Sequence, residues 1–339
     1  MASKEAIEAA GDAATVAELA AHISRHVARS VPHDGYGLFG LDPLTGTIAF
    51  AATKNTYSTA AGYRLEINHV AGRDANPFAA LIRGPRAVRV FGPTTPVSAG
   101  NAHLHDILAA EGVGSDLSIA LSHRGKAWGG LALVRAADAR PFTAAEAARG
   151  EYLREPLAAA LKRFVTRLPL HPAQSAGAPG VLIVDGSNAL AAATPTGRDW
   201  LRIFAPDHTA LDHGQLPGHV LSILAAARQS AAGGAISTIP TAHGWLTLHA
   251  QPLDGDPPKQ FAITIQPATG APLLSALTSW YGITPREQAV LDEICGGLTL
   301  KQIARRLHLS PHTVTDHLAA IYRKTAVTGR DELIARLTR

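Results

Sequence analysis

Apolar and polar positions change period along the chain. Glu5 to Arg29 is Ala-rich and reads as helix. Strand-like pieces follow: Gly37–Asp42 and Thr47–Ala52 flank Pro43-Leu44-Thr45-Gly46, and Asp116–Ser122 and Ala127–Arg135 flank His123-Arg124-Gly125-Lys126. Each pair predicts a hairpin. Thr143 with Glu146 three positions on is a capping-box signature. Tyr152, Leu153, Leu157, Leu161 and Phe164 then recur at helical spacing. A second series begins with Val181-Leu182-Ile183-Val184-Asp185, a buried strand by composition. Helical stretches are expected at Gly197–Phe204 and His219–Gln229, and strands at Ala235–Pro240, Trp245–Pro252 and Gln260–Gln266. The alternation of Phe261, Ile263 and Ile265 predicts one buried face.

Two breaks divide the pattern. Residues 169–180 (PLHPAQSAGAPG) hold three prolines and two glycines and read as a linker. Pro267–Pro272 (PATGAP) is a second, softer break. The expected division is 1–168, a linker at 169–180, 181–270, and 271–339. The expected fold class is multidomain α+β: two antiparallel-sheet domains followed by an all-α, four-helix domain.

From Gly282 onward the helix signals are dense. Thr284-Pro285-Arg286-Glu287, Thr299-Leu300-Lys301-Gln302 and Ser310-Pro311-His312-Thr313 each supply a cap, two of them with Pro at the first helical position. Thr328–Asp331 starts a fourth helix, and Gly296-Gly297 stops the first. His308-Leu309-Ser310 leaves a tight turn between the second and third, which is a helix-turn-helix. Ile303, Ala304 and Leu307 face Val314, Leu318 and Ile321. The far side of the longer helix carries His312, Asp316, Ala319 and Arg323, a stripe with little to bury and free to enter a major groove.

The stretch from Leu277 to Leu337 resembles the LuxR-type DNA-binding domain. The resemblance is carried by Leu277-Thr278, Thr284-Pro285-Arg286-Glu287, Val290-Leu291, Gly297-Leu298-Thr299, Lys301-Gln302-Ile303-Ala304, Leu307, Ser310, Thr313-Val314, His317-Leu318, Ile321-Tyr322-Arg323-Lys324 and Arg330-Asp331-Glu332-Leu333. It implies a DNA-binding transcriptional regulator whose third helix reads bases and whose fourth serves dimerisation. The residues expected at DNA are Lys301, Ser310, His312, Thr313, Thr315, Asp316, Ala319, Arg323 and Lys324, with Lys301 and Lys324 on phosphates. Two departures stand out: Thr315-Asp316 where the family carries Lys after Thr-Val, and Gln302 where it carries Glu. Asp316 can accept a hydrogen bond from cytosine N4. His317 borders the core face and is expected to be structural.

By element order, the first segment resembles a GAF domain, above all Gly114–Arg135 followed by Pro141-Phe142-Thr143, and the middle one a PAS domain. The resemblances imply partners: double-stranded DNA, a second copy of the chain, RNA polymerase, and a small-molecule ligand of one of the two sensor-like domains.

Composition narrows the alternatives. The 339 residues are 46% hydrophobic and 17% charged, which permits packed cores. Net charge is +4, and Leu277–Arg339 holds nine Lys/Arg against six Asp/Glu, so +3 of it lies in the last fifth. That suits a polyanionic partner. Cys295 is the one cysteine, which excludes an intrachain disulfide, a Cys-based zinc site and a cysteine-linked chromophore in the sensor-like domains. No apolar run approaches a membrane span and no signal peptide is legible, so a cytoplasmic protein without membrane contact is expected.

His103 and His105 beside Asp106 are two apart and share no helix face, so no metal and no cofactor is expected. Trp128 and Phe39 in the first domain, and Trp245 and His249 in the second, could line pockets or fill cores. No phosphate-binding loop and no nucleophile elbow is present, so no enzyme is expected. Two other readings stay open: a protein-interaction scaffold with weak DNA binding, and a sigma-factor-like polymerase subunit. The strand-rich middle segment counts against the second.

Overall fold

The computed structural model describes residues 4–58, 60–62, 64–65, 81, 84, 86–98, 100–123, 126–174, 178–204, 216–231, 233–254 and 260–338. In the first module α1 (Lys4–Glu8) and a 3-10 turn (Ala9–Asp12) precede α2 (Val16–Val27). The single helix expected over Glu5–Arg29 is therefore broken. Gly11 is packed so tightly that a Cβ there would lie 2.6 Å from the Ala160 carbonyl oxygen, and Thr15 restarts the helix by accepting from the Glu18 amide.

The first sheet comprises β1 (Gly35–Leu41), β2 (Ile48–Lys54), β3 (Val88–Phe91), β4 (Val113–His123) and β5 (Lys126–Ala136), in the order β2-β1-β5-β4-β3, all antiparallel. Helix α3 (Ala102–Ala110) precedes β4, and α4 (Ala144–Arg167) follows β5. Leu38 pairs with Leu131 and Leu117 with Leu133, which puts these side chains on one face. They share a core with Leu19, Ile23, Leu157, Leu161 and Phe164. Each such aliphatic side chain, fully buried, contributes about 1.5–3 kcal/mol. Residues 124–125 of the second expected hairpin turn lie outside the described residues.

The start of α4 is fastened by its capping box and by a buried ion pair. Arg135 Nη2 meets Glu146 Oε1 at 2.7 Å, and the same guanidinium donates to the Pro32 carbonyl and lies 4.1 Å from the Phe142 ring centre. Burial alone would raise the Glu146 carboxyl. Hydrogen bonds from Arg135 and Thr143 outweigh it and hold the group down to about 2.

The second module repeats the strand order of the first. β6 (Gly180–Val184), β7 (Leu190–Ala193), α5 (Pro195–Phe204), α6 (Gly218–Gln229), β8 (Ala235–Thr241), β9 (Gly244–Pro252) and β10 (Phe261–Pro267) give a sheet ordered β7-β6-β10-β9-β8. Phe261, Ile263 and Ile265 are buried, as their alternation requires. The two modules are joined directly. The Thr47 and Ser237 hydroxyls lie 2.7 Å apart, the Ile48 amide donates to Ser222 Oγ, and the Thr238 amide donates to Asp42 Oδ2.

The described part of the expected linker is not free chain. The Trp245 amide donates to the His171 carbonyl and the Ala173 amide to the Trp245 carbonyl, so the start of β9 clasps it. Residues 175–177 lie outside the described residues. Trp245 and Trp128 fill cores, Phe39 is half-buried on β1, and His249 is half-buried on β9.

At the second expected break a helix begins instead: α7 (Gly270–Tyr281). Pro272 falls in its first turn, where a missing N–H breaks no helical bond. Then come α8 (Pro285–Cys295), α9 (Leu300–Arg306), α10 (Pro311–Thr325) and α11 (Arg330–Thr338). One hydrophobic core runs from Ile7 through the first module and α7 to Leu337, whereas the second sheet has its own. Among the described residues no helix is long and apolar enough to cross a membrane.

Candidate nucleic-acid interface

Local sequence sets the three helices that matter. Glu287 caps α8 by accepting from the Thr284 amide, and Gln302 reaches back to the Thr299 amide and hydroxyl at the head of α9. Gly297 at φ +82° ends the run after α8. His308 adopts φ +54° in the turn between α9 and α10, a left-handed conformation in which His is several-fold enriched among non-glycine residues. Ser310 caps α10 by accepting from the Thr313 amide at 3.0 Å, with Pro311 at the first helical position.

One side of α10 is interred and the other is not. Val314, Leu318 and Ile321 are at most 4% exposed and pack with Ile303 and Ala304 of α9. Leu307 is half-buried at the edge of that contact. His312, Thr315, Asp316, Ala319 and Arg323 are exposed, as are Lys301, Arg305 and Ser310. Thr313 and His317 are half-buried at the margin of the stripe.

Polar contacts within the stripe limit what each group can do. His312 Nδ1 lies 3.7 Å from Asp316 Oδ1, one turn apart and both largely exposed. Thr315 donates its hydroxyl proton to the Pro311 carbonyl, so its oxygen is left to accept. The Ser310 hydroxyl is engaged with Thr313 and its outward role is reduced.

The cations divide into two groups that the sequence did not separate. Lys324 Nζ donates to Glu287 Oε2 at 2.6 Å and to the Gly282 carbonyl at 2.8 Å. Burial would raise Glu287, but the bonds from Lys324 and Thr284 keep its carboxyl below the usual range. Removing one member of such a pair leaves the other charge buried, which costs about 3–5 kcal/mol. Arg306 pairs with Glu293 at 2.9 Å, Arg330 donates to the Leu298 carbonyl, and Arg336 pairs with Glu332. Lys324, Arg306 and Arg330 brace one element against another, and Arg336 pairs within its own helix. Lys301, Arg305 and Arg323 stand out from the surface. One sign of the bracing is local, the capping glutamate at 287. Its partner lies 37 residues away, beyond any local pattern.

Comparison with known proteins agrees with this geometry. The family model described as bacterial regulatory proteins, luxR family, matches residues 282–337, so this part of the chain is a LuxR-family helix-turn-helix domain. Proteins described as HTH-type transcriptional regulators of Mycobacterium tuberculosis and Mycobacterium bovis are 40% identical to the chain over 55 residues. That is 16% of this chain and 6% of theirs, so the chain spans a small fraction of the length of the curated relatives it matches.

Among solved structures, Escherichia coli SdiA aligns over 98% of this chain and 94% of its own, at 12% identity and TM-score 0.38. The chromophore-binding domain of a bacteriophytochrome from R. palustris aligns over 48% of this chain and 59% of its own, at 13% identity and TM-score 0.31. The phage VqmA–DPO complex aligns over 47% and 79%, at 20% identity and TM-score 0.23.

Proposed function

We propose that the protein is a transcriptional regulator that binds double-stranded DNA as a homodimer, reading each half-site with α10. The observation that carries this reading is the exposed stripe of His312, Asp316, Ala319 and Arg323 on a helix whose opposite side is interred. Within it, Asp316 accepts from cytosine N4, and Arg323, His312 and Thr315 supply further polar contacts. Ala319 presents a methyl to thymine. Lys301 takes a phosphate, and Arg305 stands beside it to take another. Ser310 and Thr313 set the start of the helix at the groove.

Residues 1–168 act as a GAF-like module, 181–270 as a PAS-like module and 271–339 as the reader. The strand, helices and meander order of the second sheet supports the PAS-like assignment, and the strand order that the first sheet shares with it supports the GAF-like one. In this reading a small molecule held by one of the sheet modules changes how two readers are presented, and RNA polymerase receives the output.

Genome-wide mapping of bound DNA, followed by titration of the recovered fragments at several salt concentrations, tests the proposal. A shared bipartite sequence with half-sites one helical turn apart, about 34 Å, is the expected result. Binding that is indifferent to sequence at every salt concentration would remove it.

A further inference from the structure

Two anchorages meet at the end of α7, two residues apart. The first is in the N-terminal module. Trp280 is fully buried, its ring centre 5.1 Å from that of Trp128 and 6.5 Å from that of Phe50, which is itself 5.7 Å from Phe164. Lys162 Nζ lies 5.4 Å from the centre of the Trp128 ring. The next residue, Tyr281, donates its hydroxyl to the Thr166 carbonyl at the end of α4.

The second anchorage is in the reader. Gly282 closes α7 in the left-handed conformation, φ +67°, and its carbonyl accepts from Lys324 in the last turn of α10. Lys324 also holds Glu287, which caps α8. The path from the aromatic dock to the recognition helix is thus two residues of backbone and one ammonium. Its members are constrained: the Lys324 side chain is 25% exposed and that of Glu287 7%. Drawing Lys324 away to a phosphate would strand Glu287 as a buried, unpaired carboxylate.

We infer that Trp280 and Lys324 are positioning residues that fix the angle at which the N-terminal module presents α10, and that Lys324 does not touch DNA. The inference rests on the proposed DNA-binding reading for its consequence, but its geometry can be read without DNA. In the full chain with Cys295→Ser, spin labels at Glu155→Cys on α4 and Arg305→Cys on α9 report the distance between module and reader. Lys324→Gln and Trp280→Ala should each broaden a narrow distribution, and Trp280→Phe should restore it. Distributions as narrow as the parent's in both of the first two variants would overturn the inference.

On DNA, the slope of log K against log salt separates a positioning residue from a phosphate contact. Lys301→Gln removes two phosphate contacts per dimer and should make the slope shallower by about 1.8. Lys324→Gln and Trp280→Ala should leave it unchanged. Both should instead weaken by tenfold or more the preference for the native half-site spacing over one moved by five base pairs. A slope in Lys324→Gln that falls as it does in Lys301→Gln would mean that Lys324 meets a phosphate, and would overturn the assignment. A chain that binds no duplex fails the functional proposal and leaves the label distances to judge this one.

Discussion

Glu146 and Asp42 are both buried carboxylates, and acid acts on them in opposite directions. The Glu146 carboxyl is held down to about 2 from an ordinary 4.5 by Arg135 and Thr143 against the pull of burial. Its folded pKa is depressed, so its stabilisation is present above pH 4.5 and is lost as pH falls towards 2. A separation of that size corresponds to about 3 kcal/mol. Urea unfolding of Glu146→Gln should show a loss of about 2–3 kcal/mol at pH 7 and a flatter acid limb; an unchanged acid limb would show the pair to be idle. Asp42 is raised by burial, with hydrogen bonds from Leu44 and Thr238 pulling the other way. Its contribution therefore declines as pH rises through its folded pKa. On the reader, Asp316→Asn should change which base pair is preferred at one position while leaving the salt slope intact. Selection of binding sites from a random pool measures it, and an unaltered consensus would place Asp316 away from the bases.

Helix ends are the elements whose origin is clearest. The Thr143, Thr284 and Ser310 side chains accept from first-turn amides, and at Thr299 the Gln302 side chain reaches back to the cap instead; each was legible because the geometry is local. Thr284→Ala should cost about 1 kcal/mol. Denaturant titration would register it, and base preference should not change, since the residue 284 amide and Lys324 still hold Glu287 in place. The stripe on α10 was legible for the same reason: a period of 3.6 leaves no choice of which residues oppose Val314, Leu318 and Ile321. The elements that escaped reading lack such signals. β7 is Leu-Ala-Ala-Ala, with no alternation to betray a strand, and β3 has four residues. α7 begins with Gly and Pro, which read as a break, because Pro in a first turn and Pro in a loop look alike in sequence. The commitments of Lys324, Arg306 and Arg330 depend on which helices meet, and no window of sequence contains that.

At the scale of the molecule, the reader and the first module share one interior, with Trp280 at their junction. Truncation of a buried Trp to Ala costs about 3–5 kcal/mol. Calorimetry of Trp280→Ala should therefore show the melting of the first module and of the reader both shifted downward. A shift confined to either one would mean that the two interiors are energetically separate. The second module stands differently. Its sheet has its own core, but Trp245, at the start of β9, is buried with the residues of the other modules, and its backbone grips His171 and Ala173.

That placement makes Trp245 a keystone for anyone who would recombine such proteins. A chimera that exchanged the middle module for another of the same strand order would have to carry this indole across. Otherwise it would leave a hole the size of a bicyclic ring in a wall built by its neighbours. Interchangeability in this architecture is thus set by that hairpin tip and by the seam of Asp42, Thr47 and Ile48 against Ser222, Ser237 and Thr238, not by the proline-rich tether where a cloning boundary would be drawn.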